Sequence, residues 1–319
     1  MSNKDKLAVI FGGSGFIGSH LTSYLIEEGF RVQIADLNPP NRTDSIFNKC
    51  DIRDSISLEL ERVPDLVFNL AAVHRTPGHA TDEYYETNVA GATHVIDWCN
   101  SIGAKKIVFT SSISVYGPGS ESKNEFSSLN PVHAYGKSKM LSENIFRTWR
   151  QEDPIERTLV ICRPAVIFGP GEHGNFTRLA KALKHHMFFY PGGPGTIKSC
   201  GYVVDLVKSL VFVANHTDCG EATYNFCYPE SYSIGQICEA FHDVAGYAKP
   251  ISIPIAKIGN LLLHLPGPFS ILGARVSKLV FATQVVPAVL LGMGFVWETD
   301  LTSALVEWKA NTEKNDHFA

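Results

Sequence analysis

An apolar run broken by three glycines constrains this chain more than any other feature. Leu7 to Phe11 is short, uncharged and rich in β-formers, which predicts a strand buried on both faces. It runs into Gly12-x-x-Gly15-x-x-Gly18, and Ser19 to Glu28 follows with helical periodicity. Strand, glycine turn and helix in that order make a dinucleotide fingerprint. Gly12 permits the tight turn, Gly15 lets a pyrophosphate approach the backbone, and Gly18 lets the helix pack against the strand. Phe16 and Ile17, between the last two glycines, join this cofactor-binding set. The helix N-terminus offers its N–H groups and positive dipole end to the anion.

Glycine-rich turns are common, so the triplet needs company. It has some in Arg31–Asp36, an apolar stretch that ends in a carboxylate at the right distance. Asp36 is expected to accept hydrogen bonds from the adenosine ribose and to repel a 2′-phosphate, which predicts NAD over NADP. The alternative is a solvated turn acid ahead of Asn38-Pro39-Pro40. Arg42 also stands near enough to meet a 2′-phosphate.

Further along, apolar runs alternate with helical stretches. A short strand ends at Cys50, placing Asp51 and Ile52 as edge and face contacts for an adenine, with Asp54 equally readable as a helix N-cap. Asp65–Val73 reads as a buried strand, and Leu70, Ala71 and Ala72 lie at the carboxyl end, where ligands of open sheets bind. One long helix is expected from about Thr81 to Ser101. Asn88 near its middle is a poor helix former, which predicts a hydrogen-bonding task inside the fold. Lys105–Ser112 is the next strand, a helix begins near Ala134, and Thr158–Phe168 is a sixth strand. This βαβ repetition predicts an α/β fold, a Rossmann-type doubly wound parallel sheet with a smaller C-terminal substrate domain. Beyond Gly169 the pattern predicts helices near Phe176–His185, from Tyr202 to Asn215 and over Ser233–Ala245, the last capped by Ser233. Tyr224–Cys227 reads as one more strand of the main sheet. The expected division is a nucleotide-binding part over 1–169, rejoined by 200–227, and a substrate part over 170–199 and 228–319.

Composition narrows the function classes. A net charge of -4 with interspersed signs gives no stripe for nucleic acid. Seven cysteines without a Cys-x-x-Cys pair point to a reducing compartment and away from disulfides or zinc. His185-His186 lacks an evident third ligand, so no metal is expected. The first strand follows the N-terminus too closely for a signal peptide, which predicts a cytoplasmic protein. The stretch between Lys278 and Glu298 carries no charge and borders on the length of a membrane span. Thr283, Gln284, Pro287, Gly292 and Gly294 fit broken core structure better. Ile258–Ala274 is also strongly apolar, and reads either as a lid over the substrate or as a patch meeting a membrane surface or an acyl chain.

Tyr135 and Lys139 lie four apart on a helix and share one face. A tyrosine with a pKa near ~10 is a poor base. A neighbouring ammonium and a positive nicotinamide ring both favour its phenolate. Ser112, at the tip of the preceding strand, can bridge tyrosine and a substrate hydroxyl. A Tyr-x-x-x-Lys alone also arises by chance on helix surfaces; its order after the glycine turn, Asp36 and Thr110-Ser111-Ser112 argues against chance.

The combination of Gly12 to Gly18, Asn69 to Ala72, Asn88, Ser111 to Gly117, Tyr135 to Lys139 and Arg163-Pro164 with Gly169-Pro170 resembles the extended short-chain dehydrogenase/reductases, in particular their nucleotide-sugar epimerase/dehydratase branch. The resemblance covers nearly the whole chain. It implies Ser112, Tyr135 and Lys139 as catalytic residues, Asn88 as a structural and proton-relay residue, and a tightly held NAD reduced and reoxidised in each turnover. Sugar 4,6-dehydratases carry an acidic pair where this chain has Ile113 and Ser114, and decarboxylases a glutamate at Ser114. C4 epimerisation or simple oxidoreduction remains. Val166 and Lys198-Ser199-Cys200-Gly201-Tyr202 depart from the UDP-sugar pattern. Together with Ala72 to Arg75 and Lys278 to Gln284, they are similar to bacterial 4-epimerases of O-antigen (lipopolysaccharide) assembly that act on N-acetylglucosamine linked through diphosphate to undecaprenol.

The expected partner is a diphosphate-linked sugar, on undecaprenol or UDP, with peripheral contact to the inner membrane. His74 and Arg75 read as diphosphate contacts or as a polar loop, Lys198 as an assisting point charge, and Asn175 as a diphosphate contact or a helix cap. Helices near 81–101 and 134–150 could pair into a homodimer. A sugar or steroid dehydrogenase and a non-catalytic NAD sensor are the rival readings.

Overall fold

The computed structural model describes residues 6–41, 44–74, 78–119, 121–190, 193–252, 283–311 and 318. Arg42, Arg75, the stretch Ile258–Ala274 and the first part of the uncharged stretch after Lys278 lie outside the described residues.

Seven strands form one parallel sheet. They are β1 (Leu7–Phe11), β2 (Arg31–Asp36), β3 (Ile46–Lys49), β4 (Leu66–Asn69), β5 (Lys106–Thr110), β6 (Thr158–Pro164) and β11 (Gly220–Phe226). Their spatial order is β11-β6-β5-β4-β1-β2-β3. Chain order therefore reverses at β1, which pairs with β2 on one side and β4 on the other. Such a switch point opens a crevice at the carboxyl ends of the strands. Among the described residues six short strands lie outside this sheet. Of these, β7 (Val166–Phe168) pairs in parallel with β10 (Cys200–Tyr202), and β8 (Phe189–Tyr190) with β13 (Ile251–Ser252); β9 (Ile197–Lys198) runs antiparallel to β12 (Tyr232–Ser233).

Alternation within β1 shows why the sheet is covered twice. Val9 and Phe11 pack with Trp98 and Phe146, from α3 (Gly91–Ile102) and α4 (Ala134–Glu152). Ala8 and Ile10 pack on the opposite face with Leu21, Leu25 and Leu206, from α1 (Phe16–Glu27) and α6 (Val203–Asn215). Both faces being apolar, each needs its own helical layer. A separate aromatic cluster joins Phe168, Tyr202, Tyr228, Trp308 and Phe318 to α5 (Asn175–Lys184) and α7 (Ile234–Ala245). Phe168 stacks on Phe176 at 4.3 Å between ring centroids.

Several expectations are corrected locally. The sixth strand is two strands: β6 ends at Pro164, Ala165 donates its N–H to the Phe226 carbonyl, and β7 leaves to pair with β10. Pro164 brings no N–H of its own to continue the ladder. The helix expected from Thr81 to about Ser101 runs unbroken over 81–102, as α2 (Thr81–Tyr84), a π-helical segment over Tyr85–Ala90 that the sequence did not foretell, and α3. Asp54 caps no helix, since residues 51–54 form a turn in which the Asp54 N–H reaches the Asp51 carbonyl. Ser233 does cap α7, in a reciprocal pair with Gln236. Among the described residues no helix is long and apolar enough to cross a membrane.

Candidate active site

The glycine turn sits at the switch point. Gly12 has φ +81°, and a Cβ there would stand 2.6 Å from the Ala71 backbone nitrogen. A Cβ at Gly18 would stand 2.1 Å from the Gly12 carbonyl oxygen. These contacts leave room for hydrogen alone, so the two glycines follow from packing. Gly15 is exposed at the mouth of the turn and forms the N-cap of α1. No side chain caps that helix, and its first turn holds no acid. Its N-terminus, carrying Phe16 and Ile17, thus suits an anion.

Asp36 closes β2 beside this turn. Its carboxylate accepts the Ser14 N–H at 3.0 Å and the Asn38 N–H at 3.1 Å, which ties the end of the strand to the glycine loop. Asp51 is gripped by the Arg53 guanidinium at 2.5–3.0 Å, and this bond holds its carboxyl below the usual range. Ile52 is buried, and a Cβ at Gly91 would stand 2.6 Å from its Cδ1, so α3 can approach only through glycine. Leu70 donates its N–H to the Phe11 carbonyl, which keeps Ala71 and Ala72 against the turn. The Asn69 Oδ1, at the end of β4, is buried with no partner among the described residues. A cradle that only glycine fits, an uncapped helix start and a buried acceptor together fit a dinucleotide.

Asn88 fills the hydrogen-bonding task expected of it. Its Oδ1 accepts the Val73 N–H at 2.9 Å, and its Nδ2 donates to the Val73 carbonyl and to Ser138 Oγ at 3.1 and 2.9 Å. Its own carbonyl accepts from Ser142 Oγ at 2.7 Å. The π-helical segment thereby joins the end of the β4 loop, next to His74, to α4. Such segments inside helices recur at functional sites.

Ser112 and Tyr135 stand near one another. Ser112 begins a 3-10 turn over Ile113–Tyr116, and its Oγ accepts the Ser114 N–H at 3.1 Å. Burial of the Tyr135 hydroxyl pushes its pKa up to about 12, and the neighbouring Ser112 hydroxyl acts in the opposite direction. Desolvation of the phenolate outweighs the Ser112 hydroxyl, and Tyr84 adds to the rise. Tyr84 stands beside Tyr135, 6.2 Å between ring centroids. Lys139 is 2 % exposed and donates to the Thr110 carbonyl at 2.8 Å, with its ammonium 4.8 Å from the Phe109 ring centroid. Burial lowers its pKa to about 7, and Glu143, one turn further, works in the other direction.

The remaining candidates are more dispersed. His74 is exposed at the end of the β4 loop. Lys198 lies on β9, where burial pushes its ammonium down to about 8. Asn175 is exposed at the start of α5 and accepts from Arg178 at 3.0 Å. It is not the cap of that helix: Gly174 holds that position, and the Glu172 carboxylate accepts the Thr177 N–H at 2.8 Å. Sequence reasoning assigned nothing to Glu143 and left Arg163 without a role. Both are buried behind Ser112 and Lys139, with Arg163 donating to Glu143 at 2.9 and 2.7 Å. The fourfold spacing Tyr135, Lys139, Glu143, Arg147 was the available signal.

A glycine cradle at the switch point of a doubly wound parallel sheet defines a dinucleotide-binding enzyme of Rossmann type. The chain belongs to the NAD dependent epimerase/dehydratase family, whose pattern matches residues 8–235, and its cofactor is NAD. It is 29% identical over 306 residues to the N-acetyl-alpha-D-glucosaminyl-diphospho-ditrans,octacis-undecaprenol 4-epimerase of Escherichia coli O157:H7, a match spanning 93% of this chain and 92% of that one. It is 32% identical to UDP-glucose 4-epimerase 4 of Oryza sativa subsp. japonica over 80% of this chain and 81% of that protein. The UDP-Glc/GlcNAc 4-epimerase structure from Campylobacter jejuni superposes with a TM-score of 0.74 at 18% identity, covering 95% of this chain and 98% of that one, which bears on the fold.

Proposed function

We propose that this enzyme inverts C4 of a diphosphate-linked N-acetylhexosamine, carried on undecaprenol or UDP, through a transient 4-keto sugar. The observation that carries the reading is that the Ser112 hydroxyl acts on the Tyr135 hydroxyl, with the buried Lys139 ammonium one turn further along α4 against the Thr110 carbonyl. Ser112 holds the C4 hydroxyl, Tyr135 takes and returns its proton, and Lys139 offers the positive charge that a phenolate needs. NAD, when bound, would supply reversible hydride chemistry at C4. Gly12, Gly15, Phe16, Ile17, Gly18, Asp36, Asp51, Ile52, Leu70, Ala71, Ala72 and Asn88 would hold it. Ile113 and Ser114 supply no acid for eliminating water, which favours epimerisation over dehydration.

His74, Arg75, Asn175 and Lys198 are the proposed diphosphate contacts, set in a substrate-binding part over 170–199 and 228–319. The undecaprenyl carrier is favoured by similarity to the E. coli enzyme over nearly both full lengths. Peripheral membrane contact is supported by a run without Asp or Glu from His173 to Val204, which holds Arg178, Lys181, Lys184 and Lys198. Met187, just beyond α5 in this stretch, and Ile251, paired with Phe189 across β13 and β8, are 66% and 69% exposed, so apolar side chains stand beside the basic ones. A homodimer would pair α3 and α4, where Leu141 is exposed.

The deciding experiment offers the purified enzyme UDP-GlcNAc and lipid-linked GlcNAc side by side. Inversion of the lipid-linked sugar without accumulation of NADH is expected. Inversion of UDP-GlcNAc alone removes the lipid carrier, and NADH formed in step with an oxidised sugar makes the enzyme a dehydrogenase.

A further inference from the structure

Tyr135, Lys139, Glu143 and Arg147 recur every fourth residue of α4, so they form one stripe along it. Lys139 and Glu143 face the carboxyl ends of β5 and β6, and Arg147 reaches Glu221 and Thr223 of β11. Glu143 is completely buried and accepts four hydrogen bonds: from Ser111 Oγ at 2.5 Å, Arg163 Nε at 2.9 Å, Arg163 Nη2 at 2.7 Å and Arg147 Nη1 at 3.1 Å. Arg163, 3 % exposed, also donates from Nη1 to the Tyr116 hydroxyl at 3.0 Å, and that hydroxyl donates to Asn225 Oδ1 at 2.7 Å. Ser111 and Tyr116 bracket the turn that Ser112 begins. One ion pair therefore grips the Ser112 turn at both ends and stands one helical turn from Lys139.

We propose that Glu143 and Arg163 form a positioning pair, which aims Ser112 at Tyr135 and keeps a negative charge beside Lys139. The inference rests on the roles given above to Ser112, Tyr135 and Lys139. Buried ion pairs are weak stabilisers, since apolar residues of similar volume often replace them without loss of stability. Two full charges buried behind a reactive site are better explained by what they orient. Burial would raise the Glu143 carboxyl, but Arg163, Ser111 and Arg147 outweigh it and hold it below the usual range. The carboxylate is thus present throughout the neutral range. Lys139 meets Glu143 from its own helix and the Thr110 carbonyl from β5. Beyond Glu143, Arg147 is paired with Glu221 of β11 at 2.8 Å, and Glu125 acts on Tyr116 from the loop before α4.

The test uses the NAD-loaded enzyme with Glu143→Gln combined with Arg163→Met, and with Ser111→Ala alone. The double variant leaves neither charge uncompensated. It is expected to keep its NAD content, to lose about tenfold in kcat and to change KM by less than about twofold. Its basic limb should move about one pH unit lower, because Lys139 loses the attraction of Glu143. Ser111→Ala, which keeps every charge, should lower kcat with the limb unmoved. Titration of 15N-labelled lysine, assigned with Lys139→Met, reads the pair without any substrate: Lys139 should titrate lower in the double variant. If the wild type inverts no sugar, the proposed function fails while this titration still judges the pair. A folded double variant with wild-type Lys139 titration, kcat and basic limb overturns the inference. If the double variant does not fold, wild-type kcat in Ser111→Ala overturns it.

Discussion

Replacing Lys139 by Met should make the protein more stable and inactive, with a gain that depends on pH. The ammonium is 2 % exposed, and burial lowers its pKa from 10.5 to about 7. At about 1.36 kcal/mol per unit, that shift stores at most ~5 kcal/mol, and relaxation of nearby dipoles brings it towards ~2–3 kcal/mol. Between these two pH values the unfolded chain holds a proton that the folded chain has released. Wild-type stability therefore rises with pH across the window, and the full penalty applies below it. Met fills a similar volume and carries no charge. Lys139→Met should exceed the wild type by ~2–3 kcal/mol near pH 6, and the difference should shrink towards zero near pH 10. Urea unfolding of both NAD-stripped proteins across that range measures the gap. A gap independent of pH, or a Met variant less stable than the wild type at pH 6, would refute a buried, easily deprotonated Lys139.

Other outcomes follow from the same geometry. Gly18→Ala forces a methyl to within 2.1 Å of the Gly12 carbonyl, so the purified protein should carry little NAD, measured by absorbance after denaturation. Asn88→Ala removes three hydrogen bonds that hold Val73 and α4, and should lower stability by about 1–3 kcal/mol in urea unfolding. Asp36→Ser should weaken NAD binding and narrow its advantage over NADP in calorimetric titrations. Unchanged preference would remove Asp36 from ribose recognition.

What the sequence disclosed was local. The glycine triplet, the alternation in β1 and the Tyr135–Lys139 spacing each lie within about a dozen residues, so their physics is legible along the chain. The break at Ala165 is not, because it depends on Ser199 and Phe226, which arrive later from other elements. Nor is the Glu143–Arg163 pair, whose members sit on different elements and meet Ser111 from a third. The rise in the Tyr135 pKa also escaped, since desolvation depends on what covers the hydroxyl. Asn175 misled because Asn favours caps, whereas Glu172, three residues earlier, reaches the same helix start.

The central claim is that Tyr135 and Lys139 serve a hydride that leaves C4 and returns to it. Running the reaction in deuterated water and reading the product by NMR tests this directly. The account predicts inverted sugar with no deuterium at C4, no net change in nicotinamide absorbance, and no product from Tyr135→Phe. Solvent deuterium at C4, or wild-type turnover by Tyr135→Phe, would contradict it.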